Sequence, residues 1–360
     1  MDTAISSTDP DPGGRDRLLV VSLLTRGSPA AVTGGHLYHR RMAEAAEARG
    51  ARIEFISTGA RNPLRGAHGI VLVDSLTAWS VAPWMLMPRR PPGPVAAILH
   101  QPPGGIGNGP VRTTLQRPMD QLLYRRCDLL IAASTALAHE LVDHYGHPAQ
   151  RVCVVEPGSD LQSDAEPAGD LRRGRRIAVL CVGNWLPNKG IVELLDAVAA
   201  LPPELLTLHL AGSTEADPRY GARVQARLSA RDLIDRVVVH GLLDRHQVAG
   251  LYAGADAFVL PSFVETYGTV FAEALTAGLP TVGWRSGNLP NLIEDGTQGC
   301  LVEPGDVAGL SDALRRLATD DEWRESLSIA ALQRGNTLNT WGDTADAFFG
   351  ALSRLRRRPD

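Results

Sequence analysis

Apolar positions along the chain fall into two textures that alternate. Short, nearly continuous apolar runs read as strands buried on both faces: Arg17–Leu24, Arg52–Ser57, Gly69–Asp74, Val95–Leu99, Leu129–Ala133 and Val152–Val155. Between them, apolar residues recur every three or four positions, the period of a helix with one buried face, as at His36–Arg49 and Ala136–Tyr145. Strands alternating with helices predict a parallel sheet covered on both sides. The stretch LQSDAEPAGDLRRGRR, residues 161–176, is polar, carries Pro and Gly and has no period, so it predicts a linker.

The alternation then restarts. Strands are predicted at Ile177–Val182, Leu206–Ala211, Val237–His240, Ala257–Leu260, Thr281–Trp284 and Cys300–Val302. Helices are predicted at Ile191–Ala200, Tyr220–Leu233, Arg245–Ala253, Val270–Ala277 and Val307–Ala318, with two more near Asp321–Arg334 and Thr344–Arg356. The expected architecture is α/β, two Rossmann-like doubly wound domains facing across a cleft. The first spans residues 17–160, after a flexible tail at 1–16, and the second spans 177–340. Ligands of such sheets bind at the carboxyl ends of the strands.

Composition narrows the picture modestly. With 360 residues, 44% of them hydrophobic, and a formal net charge of -4, the chain has ordinary globular balance. No basic stripe marks a nucleic-acid binder, and no apolar run reaches membrane-spanning length. Cys127, Cys153, Cys181 and Cys300 are widely spaced, without a CxxC pair. They read as free thiols, in keeping with a cytoplasmic location. A homodimer is left open.

Two stretches carry candidate chemistry. In VGNWLPNKGIVELLDA, a strand ends at Gly183 and Lys189–Gly190 opens an amphipathic helix, a place where free amides and a cation suit phosphate. On its own, a solvated lysine beside a turn glycine would be the better explanation. In PSFVETYGTVFAEALTAGLPTVG, Glu265 follows a buried strand and Glu273 lies about one turn inside the next helix. Amides near Gly268–Val270 suit phosphate, and a nearby carboxylate suits vicinal hydroxyls. The bland alternatives are a loop acid and an acid complementing the helix dipole.

This second stretch resembles the Glu-seven-Glu signature of the family-four retaining glycosyltransferases. VGNWLPNKG resembles their phosphate loop, TGGHLYHRRMAEA their N-terminal Gly-Gly loop and helix, and EDGTQGCLVEPGD the end of their second domain. The resemblance spans about Leu18 to Asp306 and implies the GT-B fold. It implies an acceptor-binding first domain, a donor-binding second domain, and a last helix, 341–358, that packs back on the first. The implied activity is retaining, metal-independent transfer of a sugar from a nucleoside diphosphate sugar, foremost UDP- or GDP-linked, to a hydroxyl of a small-molecule or glycan acceptor. No cofactor beyond the donor is expected.

By the same resemblance, Glu273 would hold the donor ribose and Glu265 the migrating sugar. Tyr267, Gly268, Thr269 and Val270 would supply loop and amide contacts, and Lys189 would neutralise the diphosphate. Gly34 and Gly35 would admit the phosphates. Gly183 and Asn184, Gly212 and Gly241 would line the nucleotide, and His100 would lie near the transferred sugar. There are departures. Asn184 stands where the family has arginine, with Arg26 or Arg285 as conceivable substitutes, and Asn291 stands where an acid is usual. A nucleotide-sugar epimerase, a phosphorylase and a catalytically silent nucleotide-sugar-binding partner are the competing readings.

Other features weigh less. The Asp9–Asp11 string lies in the predicted tail with no strand before it and is not a metal site; no metal cluster is expected. GGIGNG at 104–109 lacks a helix-opening pattern and reads as a lip over the acceptor or a plain surface loop. His36, His39, Arg40 and Arg41 make the first helix basic, most simply as a solvated face.

Overall fold

The computed structural model describes residues 18–26, 34–58, 62–85, 87, 93–107, 109–159 and 165–356. The 1–16 tail predicted from the sequence lies outside them. The first sheet is built from β1 (Leu19–Thr25), β2 (Ala51–Ser57), β3 (Ile70–Asp74), β4 (Val95–Leu99), β5 (Leu129–Ala132) and β6 (Val152–Val154). Its order is β2-β1-β3-β4-β5-β6 with every pairing parallel. The second contains β7 (Ile177–Val182), β8 (Leu206–Ala211), β9 (Val237–Gly241), β10 (Ala257–Leu260), β11 (Thr281–Trp284) and β12 (Gly299–Val302). Its order is β12-β11-β10-β7-β8-β9, also all parallel.

Twelve α-helices lie among the described residues. In the first half they are α1 (Gly34–Ala46), α2 (Ala78–Met85), α3 (Pro110–Tyr124) and α4 (Thr135–His139), the last continuing as a π-helical turn over Glu140–His144. Then come α5 (Ile191–Ala199), α6 (Pro218–Leu228), α7 (Arg245–Gly254), α8 (Thr269–Thr276) and α9 (Leu289–Leu292). The chain closes with α10 (Val307–Thr319), α11 (Asp321–Gly335) and α12 (Trp341–Arg356). None of the described helices is long and apolar enough to cross a membrane.

Strand alternation splits the first core in two. Val71, Val73, Ala97 and Leu99 face a cluster with Val81 of α2 and Leu123 of α3. Ile70, Leu72, Ala96 and Ile98 face the other side, where Tyr38 and Met42 of α1 meet Phe348 and Leu352 of α12. The last helix of the chain therefore completes the core of the first sheet. It reaches there because two crossings run side by side: Ser159 donates to Asn339 (3.0 Å), and Thr344 Oγ1 donates to the Glu156 carbonyl (2.9 Å). A β-carbon at Gly158 would lie 2.3 Å from the Trp341 nitrogen, so this contact requires glycine.

The structure bears on three sequence expectations. Over its described part, residues 165–176, the predicted linker is mostly exposed but pinned at two points: Leu171 enters the core of the second sheet, and the Arg172 guanidinium grips Asp256 at 2.5 and 2.9 Å. One leucine amid charges makes no period, which hides this from pattern reading. Second, GGIGNG does lead into a helix, α3, with Gly109 at the N-cap and Pro110 as its first residue. Proline suits that position because the missing N–H would have no helical partner. Third, His39 is 2% and His36 8% exposed, so the helix face they share is not solvated. The buried Asp74 at the end of β3 supplies His39 with a partner at 3.0 Å.

If α12 is a structural part of the first core, Phe348→Ala should cost about 3–5 kcal/mol in chemical denaturation. A loss under about 1 kcal/mol would mean that the helix merely rests on the surface.

Candidate functional site

The carboxyl ends of β7 and β10 lead into two loops that are bonded to each other. Phe263 N donates to the Asn188 carbonyl at 2.8 Å, Ser262 Oγ donates to it at 3.1 Å, and Asn188 Nδ2 donates to the Val264 carbonyl at 3.4 Å. Gly190 makes the approach possible. Its φ is +67°, and an added β-carbon would stand 2.1 Å from the Pro261 oxygen. The consequence is an ion pair: Lys189 Nζ lies 2.5 Å from Glu265 Oε2, with both side chains less than one-fifth exposed. The two residues that the sequence marked separately face each other.

Beside this pair α8 begins at Gly268, a left-handed N-cap (φ 94°) that provides no side-chain cap. The first-turn amides of Thr269 and Val270 have no carbonyl of their own helix to bond, so this end carries donors and partial positive charge. Glu273 follows on the same helix, 8% exposed. It lies 3.7 Å from the Arg245 guanidinium, whose side chain is half exposed. Burial, and then Glu273, pushes the Tyr252 hydroxyl well above its ordinary range. Tyr252 Oη also donates to the Val270 carbonyl (3.1 Å), anchoring the start of α8.

The glycines at the ends of β7, β8 and β9 gather at the same sheet edge. Gly212 N donates to the Gly241 carbonyl, and Gly183 N to the Ala211 carbonyl, each at 2.8 Å. Asn184 Oδ1 accepts from Ser213 N at 2.9 Å, so it ties two strand-end loops together and adds no charge. Arg285 is engaged by Asp295 (2.8 Å) and Glu303 (2.9 Å). Arg26 sits at the end of β1, its carbonyl 3.2 Å from His36 Nε2.

Tyr267 is buried (5% exposed), and its carbonyl accepts from Asn288 Nδ2 at 3.1 Å. The other end of that amide, Asn288 Oδ1, accepts from Asn291 Nδ2 (3.0 Å) and from Ala136 N at the start of α4 (3.4 Å). One buried asparagine thus links the loop before α8 to the first domain. Asn291 fits because it donates; a carboxylate there would face an oxygen.

In the first domain, Gly34 and Gly35 open α1, and a β-carbon on Gly35 would sit 3.3 Å from His100 Cδ2. The structure therefore brings the Gly-Gly turn and His100 together. His100 Nε2 is enclosed and has no hydrogen-bond partner. Burial, with His39 next, drives its pKa from 6.5 down to about 3, keeping the ring neutral. Asp74 accepts from His39 and from Thr25 Oγ1, both at 3.0 Å. Burial opposes its charge, but the His39 bond, the two nearby imidazoles and the Leu76 amide win and hold it at about 2. Ligand atoms of His39, Asp74 and His100 lie within 4.8 Å of one another, a set able to hold a metal ion. Hidden helix faces give a histidine no polarity signature, though the acid ending the apolar run IVLVD was a usable hint.

The four cysteines are free, and burial raises the Cys181 thiol to about 12, so it is inert.

Two six-stranded parallel sheets with this edge arrangement define a two-domain α/β protein of the GT-B class. Residues 163–334 match the model for glycosyl transferases group 1, and residues 70–163 that for glycosyltransferase family 4. The chain belongs to the family-four glycosyltransferases. A D-inositol 3-phosphate glycosyltransferase of Xylanimonas cellulosilytica is 31% identical over 245 residues, 64% of this chain and 58% of that protein. A second, of Catenulispora acidiphila, is 34% identical over 276 residues, 70% and 62% respectively. The chain thus spans about three-fifths of the length of these relatives. Among solved structures, sucrose-phosphate synthase from Thermosynechococcus elongatus superposes with a TM-score of 0.79 at 20% identity, covering 94% of this chain and 98% of that one. HepE of Anabaena in complex with UDP-glucose gives 0.76 at 20% identity, covering 93% and 99%. These two likenesses concern the fold.

Two outcomes test the geometry. Removing either Lys189 or Glu265 alone leaves a partly buried charge, so a double-alanine cycle should give a coupling of about 0.5–3 kcal/mol; additivity would mean the pair is not held. For His100, the folded pKa lies below the unfolded one. Its contribution to stability is complete above pH 6.5 and is lost as pH falls towards 3. Melting temperature should therefore fall across that window, and His100→Gln should flatten the fall; an unchanged slope would contradict the burial.

Proposed function

We propose that the protein transfers a glycosyl group from a nucleoside diphosphate sugar to a hydroxyl of a small-molecule or glycan acceptor, with retention at the anomeric carbon and without a catalytic metal. The observation that carries this reading is the Lys189–Glu265 pair, 2.5 Å apart, beside the uncapped start of α8. The pair is a site waiting for two opposite demands. A diphosphate competes for the lysine, and the hydroxyls of the sugar compete for the carboxylate. Glu273, one turn into α8, is placed for the ribose hydroxyls, and Gly183, Asn184, Gly212 and Gly241 for the nucleoside.

In the reaction the bond from the anomeric carbon to the diphosphate oxygen breaks with its electron pair staying on oxygen. The acceptor oxygen forms the new bond on the same face and gives its proton to the departing phosphate. Charge grows on the diphosphate, where Lys189 and the α8 amides stabilise it more in the transition state than before. His100, neutral at working pH, acts as a hydrogen-bonding group towards the sugar and not as an acid. The first donor to try is UDP-glucose, present in the HepE complex, and the first acceptor is D-inositol 3-phosphate, named in the curated relatives.

A thermal-shift series over UDP-, GDP-, ADP- and TDP-sugars should pick out the donor, since binding raises the melting temperature by mass action. With that donor, Lys189→Ala and Glu265→Ala should each lower the release of nucleoside diphosphate about 10²–10³-fold, and a chelator should leave the rate unchanged. Near-normal turnover in both variants would sink the assignment. Sugar inversion at the ring without an acceptor would point to an epimerase, and donor binding with no turnover to a silent partner.

A further inference from the structure

Outside the candidate site, the outward face of α3 departs from the rest of the surface. Val111, Leu115, Pro118 and Leu122 recur at i, i+4, i+7 and i+11, which is one stripe of a helix, yet its first three residues are exposed and only Leu122 is half-buried. Val111 is 73% and Leu115 68% exposed. Trp79 of α2, 38% exposed, lines the same apolar groove with Val111, Leu115 and Met119. Helical spacing sets Arg112 and Arg126 along one border of the stripe and Arg125 along the other, all exposed. Arg117 lies farther round, within electrostatic reach of Glu140. The one carboxylate within α2 and α3, Asp120, is 1% exposed. A chain of net charge -4 therefore presents here a helix about 22 Å long whose exposed charges are all positive.

We propose that this face docks on an anionic membrane surface, with α3 lying in the interface plane. Apolar side chains on one line with arginines on both borders are what such a surface takes: the stripe enters the acyl boundary, and the guanidinium groups reach lipid phosphates. Trp79 adds an amphipathic ring suited to the headgroup level. A second copy of the chain fits less well, since a two-fold pairing of identical faces would set arginines against arginines. The loop leaving His100 runs directly into α3, so docking would hold the first domain with its strand ends at the membrane. The proposal is independent of the sugar-transfer reading.

The test is flotation of the full chain with vesicles of phosphatidylcholine, alone or mixed with phosphatidylglycerol. Association is expected with the mixed vesicles, is lost in high salt, and is weak on the neutral ones. The double variants Val111→Glu with Leu115→Glu, and Arg112→Glu with Arg126→Glu, should each lower the bound fraction at least about tenfold, with melting temperatures unchanged because the side chains are exposed. No association with mixed vesicles, or undiminished association of both variants, overturns the proposal. A dimer seen by light scattering that Leu115→Glu dissolves would assign the stripe to a second copy and overturn it equally.

Discussion

The Lys189–Glu265 ion pair is the constraint around which the second domain's edge is arranged. Placing a lysine and a glutamate 2.5 Å apart at low exposure requires two strand-end loops to touch. That contact in turn requires Gly190, with no β-carbon to strike the Pro261 oxygen. It also explains why Asn188 serves three backbone and side-chain bonds in the opposing loop. The loops would not close this way for packing alone, since desolvating two charges costs more than a hydrophobic contact of the same size. The arrangement favours a ligand able to take over both charges.

The first domain shows the same economy in a different form. Its buried acid, Asp74, is charged because His39, Thr25 and the Leu76 amide all donate to it. His100 stays neutral nearby because burial outweighs the attraction of Asp74. A fixed anion thus orients one imidazole while leaving the other free to bond at Nε2. Gly35 lies against that second ring, so the backbone turn and the imidazole form one wall. α12 supports this wall from behind: Trp341 and Phe348 both pack edge-on against Tyr38, which itself packs against His100.

Much of this was legible in the sequence, for identifiable reasons. Continuous apolar runs such as AFVL mark strands buried on both faces, and the twelve strands among the described residues lie where strands are predicted, although the edge strands β2, β6 and β9 are only half buried. Glu265, Lys189 and Gly268 were visible because strand ends and helix starts are where parallel sheets bind ligands. What escaped notice has no period. α3 begins with proline after a glycine-rich loop and turns an apolar stripe outward, so its pattern does not distinguish core from surface. Leu171 is a lone apolar residue among arginines, and His39 counts as polar until Asp74 appears beside it. The pairing of Lys189 with Glu265 crosses 76 residues and three crossover helices, and no local pattern encodes it.

The two departures from the family pattern gain a physical meaning once placed. Asn184 replaces a cation and Asn291 replaces an anion, so the local charge is lowered and raised by the same amount. Each asparagine is used as an amide: Asn184 accepts from Ser213, and Asn291 donates to Asn288. Asn288 then donates to the Tyr267 carbonyl and accepts from Ala136 at the head of α4. Neutral bonds of fixed geometry hold these loops where a long-range ion pair would otherwise be available, and such bonds are insensitive to salt. On the proposed reading, the cost would fall on the diphosphate, which would have one fewer fixed cation to meet. Lys189 and the α8 amides would then carry more of the developing charge, and release of Lys189 from Glu265 would be the step on which donor binding turns.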